Sequence, residues 1–461
     1  MPETSAASLL DQAASLYQRG ELARAEALCR QAAAAEPRNV RAWYMLAGFC
    51  YLQGHGPEAL AAADTALGLE PNSADTLNLK GAVFRAMARP EEARESFNAA
   101  LQLQPGNAGI WLNLSSVLGD MGRAGEALGC VEKALELKPG DAEAWNNRGA
   151  ALRALGRPGE ALESCNRALA IKPDYVAALR NAGALLCETF RVEEGMRVYA
   201  HQARLSHGGP PDENDKLAHK QHHDAQQRDY LAGRNINAVF HLEEGARLAG
   251  AAVNPRNAAT IAALWATKRP QIVVIDDFLK PEALEQLRRF CWGSTVWRKA
   301  YHEGYLGAVP ESGFACPLLA QIADELREIF PSIFEGHPLR YLWGFKYDSS
   351  LSGIDVHADF AAVNVNFWIT PDEANLDPGS GGLVLWDVAA PPEWDVVQYN
   401  RDAKANRAFL ERVGAKPITI PYRANRAVIF DSDLFHKTDK IQFKDGYLNR
   451  RINVTMLYGD R

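Results

Sequence analysis

Large and small apolar residues follow one fixed period along the first 205 residues. A large side chain precedes a small one by four positions, as in Trp43 and Ala47 and again in Trp145 and Gly149. Prolines and glycines recur every 34 residues, at Pro37, Pro71, Pro105, Pro139 and Pro173 and at Gly20, Gly54, Gly122 and Gly156, with Ala88 in the missing place. Small residues let two helices approach closely, and a proline ends the second helix of each pair. The pattern therefore predicts a stack of helix pairs.

This period resembles the tetratricopeptide repeat, which implies an all-α superhelix of six repeats over residues 1–205. Asn113, Asn147 and Asn181 occupy one equivalent position in three successive repeats. Similar asparagines line the groove of the O-linked N-acetylglucosamine transferase, where side-chain amides hold the backbone of an extended peptide. Asparagine is also frequent at this position in ordinary repeats. The three residues thus predict either a groove for a protein or peptide substrate or ordinary packing.

A period of two replaces this pattern in roughly the last 190 residues. Between residues 363 and 369, four apolar residues fall on one face, and Asn364, Asn366 and Trp368 fall on the other. Such alternation is typical of a barrel strand with an apolar outer face and a polar inner face. The final strand places another polar set on one face: Arg451, Asn453 and Thr455. We therefore expect a β-barrel around a polar cavity.

The triplet His357-Ala358-Asp359 and a second histidine, His436, form a candidate metal site. Residues two apart on a strand point to the same face, so His357 and Asp359 can bind one ion from a single short segment. Two imidazoles and one carboxylate suit non-haem Fe(II) and leave three coordination positions open. Oxygen chemistry requires such open positions.

These residues resemble the 2-oxoglutarate and Fe(II)-dependent oxygenases, and most closely their prolyl-hydroxylase-like branch. The resemblance rests on Tyr347 ten residues before His357, on the pair Gly381-Gly382 that opens a strand, and on Arg451 followed by alternating small residues. It implies a double-stranded β-helix of jelly-roll type over residues 269–461. Arg451 follows His436 after a longer interval than is usual in the family, so Arg450 is a rival. Strand alternation favours Arg451.

The resemblance also implies a role for each residue. His357, Asp359 and His436 would bind Fe(II), and 2-oxoglutarate and O2 would take the open positions. Arg451 would bind the distal carboxylate of 2-oxoglutarate through its two-pronged guanidinium, with help from the Tyr347 hydroxyl. The remaining side chains expected to line the cosubstrate site are Asn366 and Trp368. An aspartate at position 359 favours hydroxylation over halogenation, because its carboxylate fills the position that a halide would occupy.

Residues 206–268 predict a linker that contains two or three helices between 216 and 265. His219 and His223 lie one helical turn apart there, and the absence of a third ligand nearby favours a solvated helix face over a metal site. Within the oxygenase-like region, residues 391–416 form a long insertion between strands. We expect it to be either a lid or substrate wall, or plain surface decoration.

Composition narrows the class of protein. The chain has 461 residues and a net charge of −7 without a basic run, which argues against nucleic acid as an obligate partner. It has no run of 18 apolar residues and no basic segment followed by an apolar core at its start, so we expect no membrane association and a cytoplasmic location. Its seven cysteines contain no Cys-x-x-Cys pair and are expected to be reduced.

Three functions agree with this sequence. The first is an oxygenase that hydroxylates a protein or peptide side chain held by the repeats. The second is an oxygenase for a small molecule or natural-product intermediate, with the repeats as a docking module. The third is a scaffold whose barrel is inactive. The complete residue set argues against the scaffold, and the asparagines next to the barrel in the sequence favour the protein substrate.

Overall fold

A computed structural model describes residues 5–207, 217–348 and 353–461 of the chain. Contacts divide the chain into two compact units, Met1–Tyr175 and Val176–Arg461. The described part of the first unit is entirely helical, and the second combines helices with antiparallel sheets. Within the described residues, no helix is long and apolar enough to cross a membrane.

Consecutive helices of the first unit pack against each other in pairs. In chain order they are α1 (Ala6–Gln18), α2 (Leu22–Ala35), α3 (Val40–Leu52), α4 (Gly56–Leu69), α5 (Ala74–Ala86), α6 (Pro90–Leu103), α7 (Ala108–Asp120), α8 (Ala124–Leu137), α9 (Ala142–Ala154) and α10 (Pro158–Ile171). The turns between paired helices use the predicted glycines in the left-handed region, and Ala88 adopts the same conformation with φ of 55°. The 34-residue period therefore predicted the pairs correctly.

Repeated polar contacts explain why each first helix begins where it does. Asn39, Ser73, Asn107 and Asp141 recur every 34 residues, and each accepts a hydrogen bond from a backbone N–H in the first turn of its helix. Such side chains satisfy N–H groups that have no partner within the helix. Three tryptophans also donate to the carbonyl of the proline six residues earlier: Trp43, Trp111 and Trp145.

Among the described residues, four helices precede the first strand of the second unit. They are α11 (Val176–Glu188), α12 (Val192–His207), α13 (Ala218–Ala232) and α14 (Ala258–Thr267). The predicted linker region, residues 206–268, contains α13 and α14. Within this unit, α12 packs against the later helix α16 (Pro317–Ile329) and the turn Pro310–Ser312. The contact boundary after Tyr175 therefore falls one helix pair earlier than the repeat boundary expected at residue 205.

One expectation for α13 was wrong. His223 is fully buried rather than solvated, its ring lies 5.5 Å from that of Tyr447, and its Nδ1 lies 3.0 Å from Asp224 Oδ1. Burial lowers the pKa of His223 well below its ordinary value, with a further contribution from the charge of Lys346. The local pattern does not predict this burial, because it depends on residues more than 100 positions away.

The strands of the second unit form two antiparallel sheets. They are β1 (Ile272–Ile275), β2 (Lys299–Tyr301), β3 (Tyr305–Ala308), β4 (Leu339–Tyr347), β5 (Val363–Trp368), β6 (Leu383–Ala389), β7 (Pro417–Ile420), β8 (Ala427–Asp431), β9 (Leu434–Thr438) and β10 (Ile452–Tyr458). The larger sheet has the order β1-β8-β5-β10-β4-β3-β2, and the smaller has the order β7-β6-β9. The remaining helices are α15 (Pro281–Gly293), α17 (Pro331–Phe334), α18 (Val396–Arg401) and α19 (Ala403–Val413).

The predicted alternation along β5 agrees with its packing. Val363, Val365 and Phe367 belong to the apolar core that also contains residues of α15 and α16. On the other face, Trp368 joins a cluster with Leu383 and with other residues of both sheets. The larger sheet is therefore covered by helices on one face and shares its other face with the smaller sheet, which creates the space for a site.

Candidate metal centre

Two imidazoles and one carboxylate converge in the second unit. His357 and Asp359 lie on the segment before β5, and His436 lies in the middle of β9. One ligand atom from each side chain lies within 4.8 Å of the other two. The Nε2 atom of His357 lies 3.7 Å from Asp359 Oδ1, and that of His436 lies 3.4 Å from Asp359 Oδ2. The structure thus brings together the three residues that the sequence singled out.

The backbone explains this convergence. The N–H of His357 donates to the carbonyl of His436 at 3.0 Å, and the N–H of His436 donates back to His357 at 2.8 Å. Residues paired in this way project their side chains to the same side of a sheet. The two imidazole centroids accordingly lie 4.3 Å apart. Asp359, two residues further on, joins them on that side.

Hydrogen bonds fix the orientation of both imidazoles. His357 Nδ1 donates to the carbonyl of Asp355 at 2.7 Å, and His436 Nδ1 donates to the carbonyl of Leu434 at 3.0 Å. A neutral imidazole that carries its hydrogen on Nδ1 presents an unprotonated Nε2. Both Nε2 atoms are the ones that face Asp359. This is the arrangement that metal-binding histidines use to set their tautomer and ring direction.

Burial and neighbouring groups set the charges of the site. Burial, together with the charge of the nearby His436, lowers the pKa of His357 to about 4. Burial alone would raise the pKa of Asp359, but His436 and His357, in their protonated forms, and the amide of Asn364 together lower it. Asn364 Nδ2 donates to Asp359 Oδ2 at 2.7 Å. At neutral pH His357 is therefore uncharged and Asp359 is ionised, as metal binding requires.

These donors fit a divalent transition metal such as Fe(II). Two imidazole nitrogens and one carboxylate oxygen, presented from one side, leave the opposite side of an ion open. The described residues contain one such group of three or more His, Cys, Asp or Glu side chains. The carboxylate and both imidazoles are also held by hydrogen bonds to other groups, so little rearrangement is needed to bind an ion.

A small cavity of about 50 Å³ adjoins the three ligands. A polar cavity of this kind can hold water or part of a small polar ligand. Its polar lining comes from β5, β9 and β10 and includes Asn364, Asn366, Thr438, Asn453 and Thr455. Its aromatic lining comes from β4 and consists of Trp343, Phe345 and Tyr347.

Arg451 supplies a buried cation to this cavity. Its side chain is 1% exposed, and Nε and Nη2 donate to the carbonyls of Gly381 and Gly382 at 2.6 and 3.1 Å. Nη1 donates to Asn453 Oδ1 at 3.1 Å. A guanidinium has five N–H donors, so two remain for another acceptor. Among the described residues, no carboxylate forms an ion pair with Arg451, and burial lowers its pKa. A buried cation without a counter-ion favours an anionic ligand.

Arg450 has a different environment. Its Nη1 forms an ion pair with Asp348 Oδ2 at 3.1 Å, and its Nε donates to Gln226 at 3.0 Å. Its charge is therefore already balanced by a carboxylate of the protein. The cavity lining includes Arg451 but, among the described residues, does not include Arg450. The strand alternation that favoured Arg451 agrees with this arrangement.

The other three predicted cosubstrate residues lie close to Arg451 or the cavity. The ring centroids of Tyr347 and Trp368 lie 4.6 and 5.7 Å from the guanidinium carbon of Arg451. The Tyr347 hydroxyl lies 3.4 Å from Thr438 Oγ1. Asn366 Nδ2 donates to Thr455 at 3.0 Å. Asn366 Oδ1 and Trp368 Nε1 are buried and have no hydrogen-bond partner among the described residues.

Sequence reasoning did not assign a site role to several residues that line the cavity. Thr438 lies two positions after His436 on β9, and Asn453 and Thr455 lie two and four positions after Arg451. Residues at even spacing from a ligand share its strand face. The same period of two that singled out the candidate ligands could therefore have singled out these residues. Asn364, which binds Asp359, had been placed on the inner face but given no role.

The predicted peptide-groove asparagines have partners within the repeats. Asn113 Nδ2 donates to Asn78 Oδ1 at 2.9 Å, which joins α7 to α5. Asn147 Nδ2 donates to Ser116 Oγ at 3.1 Å, which joins α9 to α7. Both amides therefore contribute to the packing of neighbouring repeats, and each keeps one further N–H. Asn181 lies on α11, within the second unit.

Comparisons with known proteins identify only the helical region. A family model described as Tetratricopeptide repeat matches residues 112–176. A model of the Cilia and flagella-associated protein 70 middle TPR-like domain matches residues 9–138. No curated protein matches the chain significantly.

Solved structures are similar to part of the chain. YrrB, described as a TPR protein with an unusual peptide-binding site, is 24% identical over 39% of this chain and 92% of its own, with a TM-score of 0.33. Pseudomonas aeruginosa pilF is 20% identical over 44% of this chain and 92% of its own, with a TM-score of 0.39. MamA is 22% identical over 35% of this chain and 94% of its own, with a TM-score of 0.32.

The family models agree with the 34-residue period and with the paired helices of the first unit. Neither match extends beyond residue 176, which directly follows the point where the contacts divide the chain. On this combined evidence, the chain contains tetratricopeptide repeats.

Proposed function

We propose that the second unit is an Fe(II)- and 2-oxoglutarate-dependent oxygenase of the double-stranded β-helix type. The observation that carries the proposal is one cavity that contains both a two-histidine, one-carboxylate group and a buried arginine without a counter-ion among the described residues. Either feature alone has common structural explanations. Together they provide a site for a redox metal and a site for a small anion at adjacent positions.

His357, Asp359 and His436 would hold the iron, and Arg451 would bind the distal carboxylate of 2-oxoglutarate. The two N–H donors that remain on the Arg451 guanidinium match the two oxygens of a carboxylate. The Tyr347 hydroxyl can add a third hydrogen bond to that carboxylate. The aromatic rings of Tyr347 and Trp368 exclude water around the guanidinium, which strengthens its attraction for an anion.

Bound iron would supply the oxidative decarboxylation of 2-oxoglutarate to succinate and CO2, together with oxidation of a substrate C–H bond. The protein side chains would orient the reactants. Asn364 holds the Asp359 carboxylate, and the carbonyls of Asp355 and Leu434 hold the imidazoles. Because Asp359 occupies a position that a halide would need, hydroxylation is favoured over halogenation.

The first test is metal binding by ligand variants. We expect wild-type protein to bind Co(II), a spectroscopic substitute for Fe(II), with a visible spectrum that reports imidazole and carboxylate ligands. His357→Ala, Asp359→Ala and His436→Ala should each abolish this spectrum and the turnover of 2-oxoglutarate. His302→Ala, which changes an exposed histidine outside the cluster, is the matched control and should retain both. Equal metal binding by His302→Ala and the three ligand variants would contradict the assignment.

We further propose that the substrate is a protein or peptide bound by the repeats. The remaining N–H of Asn113 and of Asn147 can donate to a peptide carbonyl, and amide oxygens can accept from its N–H groups. A small-molecule substrate, with the repeats as a docking module, is the alternative outcome of the same experiment.

The second test separates these outcomes by mass spectrometry. Proteins trapped by the His357→Ala variant would be incubated with active enzyme and searched for the gain of one oxygen atom. We expect the triple Asn113→Ala, Asn147→Ala, Asn181→Ala variant to lose this modification and to keep its uncoupled turnover of 2-oxoglutarate, because each main-chain contact is worth about 0.5–1.5 kcal/mol.

The control for packing is Asn78→Ala with Ser116→Ala, which removes the internal partners of two amides but leaves the amides themselves. A loss of modification in this control equal to that of the triple variant would assign the asparagines to packing. Unmodified proteins, together with oxidation of a small metabolite, would favour the small-molecule alternative.

A further inference from the structure

The insertion between β6 and β7 lies against the segment that carries two of the candidate ligands. It contains α18 and α19 and was expected to be a lid, a substrate wall or surface decoration. Six buried side chains form the apolar cluster between the insertion and this part of the sheet: Val356, Ala358, Ala390, Tyr399, Leu410 and Phe435. Val356 and Ala358 alternate with His357 and Asp359, so the segment turns its ligands to one side and its apolar residues to the insertion.

The segment from Asp355 to Asp359 is not part of a named strand. On one side His357 pairs with His436 through two backbone hydrogen bonds. The backbone N–H and C=O groups on the other side of a buried segment also need partners, because leaving them unpaired is costly. On that side the N–H of Val356 donates to the Asp355 carboxylate, and the other three backbone groups of Val356 and Ala358 bind the insertion.

Three hydrogen bonds make this connection. Asn406 Nδ2 donates to the carbonyl of Val356 at 3.1 Å, and Asn400 Nδ2 donates to the carbonyl of Ala358 at 2.8 Å. The N–H of Ala358 donates to the carbonyl of Tyr399 at 2.9 Å. The insertion therefore occupies the place that a neighbouring strand would otherwise take.

Asn406 also connects the two helices of the insertion. Its side chain is completely buried, and Nδ2 donates to the carbonyl of Tyr399 at 3.0 Å as well as to Val356. At the start of the segment, Arg407 binds the Asp355 carboxylate with distances of 2.8 and 2.6 Å. The carbonyl of the same Asp355 accepts from His357 Nδ1. One chain of contacts thus leads from α19 to the imidazole ring.

We propose that the insertion holds the segment of His357 and Asp359 in position for metal binding, and that Asn400 and Asn406 are positioning residues. This inference rests on the proposed function, because it assigns the segment the task of holding His357 and Asp359 against an ion. A lid that opened here would have to break three hydrogen bonds and expose the apolar cluster. Groups that support metal ligands typically change metal affinity by about 10- to 100-fold when they are removed.

The experiment uses the full chain with Asn400→Ala and the near-isosteric Asn406→Leu. Hydrogen exchange of metal-free protein would be followed in peptides that cover residues 353–362 and, for comparison, β10. Co(II) affinity would be measured by titration of the visible spectrum. We expect faster exchange in residues 353–362 only, and a Co(II) affinity about tenfold weaker in each variant.

Two controls separate positioning from general stability. Asn254→Ala removes an amide-to-carbonyl hydrogen bond to Asp277 from a half-buried asparagine outside the site, so neither measurement should change. Leu410→Ala leaves a cavity in the same apolar cluster and lowers the unfolding temperature, but it retains both amides. The folded Leu410→Ala variant should bind Co(II) nearly as well as wild type.

If wild-type protein binds Co(II) and the two asparagine variants bind it equally well, the positioning role is overturned and the proposed function stands. The positioning role is also overturned if Leu410→Ala loses as much Co(II) affinity as Asn406→Leu, because the effect would then be one of stability. A wild-type protein that binds no Co(II) would contradict the proposed function and the positioning role together.

Discussion

The adjacent arginines Arg450 and Arg451 differ in whether a carboxylate of the protein is paired with them, which matters for binding an anion. Arg450 is paired with Asp348, whereas Arg451 donates to two carbonyls and an amide oxygen and forms no ion pair with a carboxylate of the described residues. A cation that is buried without a carboxylate is unfavourable unless a ligand completes the pair. At the residue scale, this difference supports a dicarboxylate cosubstrate more strongly than the burial of Arg451 alone.

A prediction follows for the affinity of 2-oxoglutarate. Arg451→Met should weaken binding of 2-oxoglutarate to Co(II)-loaded protein by about 2 kcal/mol or more, since truncating one partner of a buried ion pair commonly costs about 2–5 kcal/mol. This corresponds to a dissociation constant at least roughly 30-fold higher. Calorimetry without oxygen would measure the constant before any turnover.

Arg450→Met is the matched control. It should lower the unfolding temperature, because it removes the ion pair with Asp348, but should change the dissociation constant little. Tyr347→Phe should give an intermediate constant. A larger loss of affinity in Arg450→Met than in Arg451→Met would contradict the assignment of the anion site.

Strand spacing, together with the family resemblance, singled out His357, Asp359 and His436 as candidate ligands, and the structure brings the three side chains together. Strand spacing could not identify the environments of other residues. The burial of His223 depends on Tyr447, and Asn113 donates one hydrogen bond to Asn78 on another helix. Such contacts join residues that are distant in sequence, so a local pattern contains no information about them.

Strands and helices were predictable where they follow a strict period. The period of two along β5 correctly separated the core face from the cavity face, and the 34-residue period located the helix pairs. At the pair that opens β6, Gly381 has φ of +83°, and a Cβ on Gly382 would lie 2.0 Å from the carbonyl oxygen of Ile420. The glycines are therefore required for a close approach, and their carbonyls become the acceptors for Arg451.

The role of the insertion was not predictable from the sequence. Asn406 lies on α19 and binds a carbonyl 50 positions earlier in the chain. An asparagine in a helix has no local feature that reveals such a partner. Only the fold shows that α18 and α19 satisfy the backbone of the ligand segment.

On the scale of the whole molecule, the assignments made for the two units rest on different observations. Both family models lie within residues 9–176, so the repeats are established by comparison as well as by geometry. The function proposed for the second unit rests on the cavity and its residues. The contact boundary after Tyr175 also groups α11 and α12 with the sheets, because α12 packs on α16.

The most direct test of the oxygenase assignment is the fate of isotopically labelled O2. When 2-oxoglutarate loses CO2, its keto carbon becomes a carboxyl carbon of succinate and must gain one oxygen atom. We predict that wild-type protein with Fe(II) and 2-oxoglutarate produces succinate that carries one labelled oxygen atom, and that His436→Ala produces none. Absence of succinate from the wild-type reaction, also after addition of cell extract as a source of substrates, or succinate without the label, would contradict the account.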